Sequence, residues 1–162
     1  MATDAPGPRS ALPVPWGFGL LYGLLAALAG ATLTLAAAVF EWSGSGLPPR
    51  LGALTLRTLY EAHGVGVAGP PPLPGGPPAG SATALIPVAV LLAVGFYHAR
   101  GYVGASARQA VLAGAAVTVG YVVAALAGVF VLGVSASPVA AGLSFAGYGL
   151  LFGGLGGYLA RS

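Results

Sequence analysis

Four stretches of this chain carry no charged side chain: residues 16–40, 83–97, 109–134 and 138–160. A hydrocarbon core of ~30 Å needs roughly 20 apolar helical residues to cross it. Three stretches meet that length outright. The second meets it if it extends to Tyr102 and Arg100 snorkels to the headgroups. The pattern predicts an all-α integral membrane bundle of four transmembrane helices, at about 16–40, 83–102, 109–134 and 138–160. Trp16 and Trp42 stand at the two ends of the first span, where interfacial aromatic anchors belong. A helix over 16–40 is about 37 Å long, so it is predicted to tilt or protrude before Glu41 ends it.

Composition decides what such a chain is not. Only 6% of its residues are charged, against ~25% in soluble domains, and a water-soluble fold this poor in charge would expose an almost wholly apolar surface. Its basic residues are Arg9, Arg50, Arg57, Arg100, Arg108 and Arg161, scattered singly at segment ends. A nucleic-acid partner would need them gathered into a patch. With no cysteine, disulfides, thiolate metal sites and cysteine nucleophiles are excluded. Arg9 precedes an apolar run of 25 residues, longer than the roughly 7–15 of a cleavable signal. The first span therefore reads as an uncleaved signal anchor, with cleavage near the small residues Ala36, Ala37 and Ala38 as the alternative.

Between the spans, residues 1–15 hold Pro6, Pro8, Pro13 and Pro15 and read as a disordered cytoplasmic tail. The loop 41–82 contains a predicted amphipathic helix at 49–63. At 100° per residue, Arg50, Arg57 and Glu61 fall on one narrow stripe, while leucines and Tyr60 cover most of the remainder. Such a helix is expected in the membrane interface on the outer face or against the other helices, with Arg57 and Glu61 able to pair four residues apart. Residues 64–80 collapse to Gly and Pro and read as an extended, mobile linker. Pro87 and Pro138 suit first-turn positions, and the short link before Pro138 makes the last two spans an antiparallel hairpin. The side shared by the N-terminus, the 98–108 loop and the C-terminus holds four arginines against two on the other. The positive-inside rule then places both termini in the cytoplasm of a multi-pass cell-membrane protein.

No catalytic, cofactor or metal site is predicted. His63 and His98 are the only imidazoles; the topology places them at opposite faces as interfacial polar residues, and a metal would need more ligands converging. Glu61 and His63, two apart on a helix, point away from each other. Ser144 would need a histidine at matching depth to act as an intramembrane nucleophile, and no span carries one centrally. Ser144, Thr118, Thr32 and Thr34 are read as bonding to nearby backbone, and Tyr121 and Tyr148 as packing residues. Ion-coupled transporters hold ionisable groups at membrane depth; Glu41, His98 and Arg100 all lie at span edges, which argues against such coupling.

Small residues recur every four positions: Gly149, Gly153 and Gly157 form a glycine zipper on the last span. Gly120, Ala124 and Gly128 repeat the spacing on the third span, and Gly19, Gly23, Ala27 and Ala31 on the first. Such faces let helix backbones approach closely, within one bundle or, alternatively, across a seam with another copy or a membrane-protein partner. Taken together, the first span, the segment Leu59-Tyr60-Glu61-Ala62-His63 and the closing run Phe152 to Tyr158 resemble an uncharacterised family of small four-span membrane proteins from halophilic archaea. That resemblance implies membrane location and an archaeal source, and assigns no activity. The leading expectation is a non-enzymatic scaffold or accessory subunit acting through helix–helix contacts. The alternative is a permease or channel component for a small neutral or hydrophobic solute, and the third is an enzyme using Glu61 and His63.

Overall fold

The computed structural model describes residues 16–40, 50–69, 82–102 and 106–161. The tail 1–15, Glu41, Trp42 and the linker residues 70–80 lie outside the described residues. Helix α1 spans Trp16–Phe40 and α2 spans Leu51–Ala62. A 3-10 turn (Ala82–Leu85) leads into α3 (Ile86–Arg100). Then follow α4 (Ala107–Ala116), α5 (Thr118–Phe130) and α6 (Pro138–Tyr148), with a π-helical turn (Gly149–Gly153) before α7 (Gly154–Leu159). No strand occurs among the described residues. Four helical stretches are long and apolar enough to cross a membrane: Trp16–Phe40, Thr83–Arg100, Ala107–Phe130 and Pro138–Leu159. They are compatible with a multi-pass membrane protein.

Local chemistry sets the helix ends. Pro87 and Pro138 occupy first-turn positions, where the missing N–H has no intrahelical partner to lose. α4 begins at Ala107, two residues before the charge-free stretch, because Ser106 and Gln109 form a reciprocal capping box. α3 stops at Arg100 and not at Tyr102, whose N–H closes a turn onto the Ala99 carbonyl. α5 stops at Phe130, four residues short of the hydropathy boundary, and the chain turns through Gly133 at φ 71. The third span is also interrupted at Val117, between α4 and α5.

The bundle is held by close backbone contacts. A methyl added at Gly19 would lie 2.8 Å from Ala116 Cβ, and one at Gly23 would lie 2.7 Å from Gly120 Cα, so α1 runs parallel to α4–α5. One at Gly114 would lie 2.8 Å from Gly157 Cα, and one at Gly149 2.9 Å from Thr118 Cα, so the last span runs antiparallel to the third. Gly95 packs against Gly153, and Gly156 against α3 near Phe96. Backbones touching at glycine positions gain dispersion contacts that a side chain there would prevent. The turn through 131–137 marks one end of the bundle. α1 finishes at that end, α3 begins there, and the segment 50–69 packs into it.

Candidate functional site

His63, Tyr60, Tyr121, Ser144 and Tyr148 come together where segment 50–69 meets α5 and α6. α2 descends alongside α1: Leu54 and Ala38 form a small cluster near the turn end, and Leu59 faces Gly30 further in. The chain then reverses, and the Ala68 N–H donates to the Ser135 carbonyl in the α5–α6 turn, 2.8 Å. The segment therefore enters the bundle and leaves by the same end. Its deepest residue, His63, stacks on Phe145 with ring centroids 3.8 Å apart. Phe145 is seven residues inside Pro138, about 10 Å along the helix axis. His63 is 2% exposed. It is therefore a core residue and not the interfacial one that its place in a loop suggested.

A helix that ends at this depth must satisfy its last carbonyls without water, and here each has a partner. The His63 imidazole Nδ1 donates to the Leu59 carbonyl, 2.7 Å. The Tyr60 carbonyl accepts from the N–H groups of His63 and Val65, and the Glu61 carbonyl from that of Gly64. With Gly64 at φ 73, these bonds form a Schellman cap, closed by buried Val65 beside Tyr60. The next two carbonyls are met from the neighbouring helix: Tyr148 Oη donates to Ala62, 3.2 Å, and Ser144 Oγ donates to His63. Tyr60 Oη in turn donates to the Ala125 carbonyl of α5.

The ring of His63 is equally constrained. Because Nδ1 faces a carbonyl it carries the proton, so Nε2 is the acceptor and Tyr121 Oη donates to it at 2.8 Å. Tyr121, Phe145 and Tyr148 enclose the imidazole with centroid separations of 5.5, 3.8 and 4.7 Å. Burial lowers its pKa to about 4, with the Leu59 bond opposing weakly. It is neutral at pH 7. The site is a cluster of uncharged donors and acceptors, paired with one another, that holds the tip of segment 50–69 in the bundle. The geometry does not activate a nucleophile, since Ser144 points at the His63 carbonyl and both ring nitrogens are engaged elsewhere.

Other residues singled out by the sequence lie apart. Glu61 pairs with Arg57 at 2.7 Å, partly exposed, and Arg57 also donates to the Gly69 carbonyl. The proposed Glu61–His63 acid–base pair is therefore not assembled. His98 is buried toward the opposite end, its Nδ1 donating to the Ala113 carbonyl at 2.7 Å. Thr32 bonds back to Leu28, whereas Thr34 and Thr118 place buried hydroxyls with no partner among the described residues. Among the described residues no group of three or more His, Cys, Asp or Glu could hold a metal. Of the expected linker 64–80, the described part 64–69 is held to the bundle through Val65, Val67 and the Ala68 N–H, and the rest lies outside the described residues. In the sequence Tyr121 and Tyr148 read as a packing pair on adjacent helices, and Ser144 as bonding to nearby backbone. Their joint signal was three hydroxyls in apolar spans, each needing a partner that a neighbouring segment had to bring. No known family, curated protein or solved structure matches the chain.

Proposed function

We propose that this protein is a permease or channel component for a small neutral solute, with segment 50–69 as the element that controls passage. The observation that carries this reading is the half-length helix that enters the bundle and turns back at His63. Irregular backbone at membrane depth survives only when protein or a water-lined cavity satisfies it, and broken helices of this kind build solute sites in transporters. Among the described residues the groups in contact with His63 are all uncharged, which suits passage of an uncharged solute and not of an ion. An ionisable residue inside a bundle is by default a candidate functional group. His63 supplies one that span positions alone did not contain. The scaffold reading rested on small-residue faces, and Gly19, Gly23, Gly114, Gly149, Gly153 and Gly157 spend theirs against helices of the same chain.

Reconstituted vesicles test the reading. Stopped-flow swelling with a series from urea to glycerol should be faster than in empty vesicles and altered at least twofold by Ser144→Ala. Folded, monodisperse protein that adds no flux for any member would return the accessory-subunit reading to first place. In this proposal the turn end faces outward and both termini lie in the cytoplasm. The chain has no native cysteine, so Ser135→Cys should react with an impermeant maleimide added to intact cells and Ser106→Cys should not. The reverse pattern would invert the orientation.

A further inference from the structure

A groove of about 370 Å³ runs between α1 and α2, lined by Ala31, Thr32 and Leu35 on one side and by Leu51, Gly52, Thr55 and Leu56 on the other. Its two hydroxyls are engaged, because Thr32 Oγ1 donates to the Leu28 carbonyl and Thr55 Oγ1 to Leu51, both at 2.9 Å. Neither is free to donate to a ligand, so the groove selects for hydrocarbon. Gly52 is the informative residue. It lies in the first turn of α2, and among the described residues a methyl built on it would meet nothing within 4 Å. No close approach among the described residues requires this glycine. What it provides is depth in the groove wall. Arg50, exposed, immediately precedes the lining residues Leu51 and Gly52 at the mouth of α2.

We propose that this groove seats one acyl chain of an anionic phospholipid, with Arg50 meeting the headgroup phosphate. The occupant follows from the surroundings and the charge. Ala31, Thr32 and Leu35 belong to an apolar span that lipid tails would bathe, and the exposed Arg50 directly precedes the lining residue Leu51 in the chain. Arginine matches phosphate geometry through its planar fork of donors.

The test is native mass spectrometry of the purified full chain after equilibration with vesicles of phosphatidylglycerol or of phosphatidylcholine. The parent protein should retain one phosphatidylglycerol at least fivefold more than phosphatidylcholine. Gly52→Phe should cut retention of both at least tenfold, and Arg50→Gln should reduce phosphatidylglycerol to the phosphatidylcholine level. Circular dichroism verifies folding, and Gly52→Leu serves if the phenylalanine variant does not fold. Equal retention of the two lipids, or retention unchanged by filling the groove, overturns the proposal. So does a dimer that Gly52→Phe disperses, which would make a second copy the occupant.

Discussion

Gly114→Leu is expected to prevent the bundle from assembling, while Gly147→Leu leaves it intact. The side chain at Gly114 would be built into the backbone of the last span, with Gly157 Cα and N both 2.8 Å from the first added carbon. Overpacking ordinarily costs about 1–3 kcal/mol because flexible side chains can shift. Here the obstacle is main chain on a helix itself wedged by Gly153 and Gly156 against α3, so the cost should reach about 3 kcal/mol or more. Gly147 is exposed and a methyl there meets nothing within 4 Å. Leucine at that position should be neutral or should add up to about 1 kcal/mol through helix propensity. Size-exclusion profiles and thermal melts in mild detergent distinguish the two. Equal behaviour of the variants would mean that α4 and α7 do not touch through their glycines.

His63 should make stability depend on acidity. Its native pKa lies near 4, below the 6.5 of an unhindered imidazole, so the unfolded chain binds a proton more readily between those values. Stability is then level above about pH 6.5, falls as pH drops through the window, and is lower by roughly 3 kcal/mol once pH passes 4. His63→Phe keeps an aromatic of similar size stacked on Phe145 but leaves the Tyr121 hydroxyl and the Leu59 carbonyl without their partner. Each buried orphan costs about 1–3 kcal/mol. The variant should therefore melt lower at pH 8, and its melting temperature should vary less between pH 7 and pH 4. Parallel pH profiles for the two proteins would show that the imidazole is not buried as described.

Charge was the most legible signal in this chain, and it located the helices well. Apolar runs bounded by arginines and prolines placed α1, α3 and the last two spans, because putting charge in hydrocarbon is costly whatever the partners are. The depth of α2 was not legible in the same way. Leucines and Tyr60 spread around most of α2, and that spread does not say whether lipid headgroups or other helices cover them. The deciding information lay on other segments: Ser144, Tyr148 and Tyr121, each a donor facing α2. Two local cues were readable and carry their physics openly. Gly64 after His63 marks a left-handed helix end, and Ser106 with Gln109 marks a capped beginning. Hydropathy alone overlooked the second by starting that span at Gln109.

The π-helical turn at Gly149–Gly153 has a geometric consequence for the whole last span. Residues Ala141, Phe145, Gly149, Gly153 and Gly157 are all buried, one every four positions. On an unbroken α-helix such a series drifts by about 160° over its length, at 100° per residue. A single wide turn absorbs one residue and trims that drift to about 60°. Phe145 can thereby look toward the imidazole while Gly157 still looks toward α4, and one span serves both neighbours.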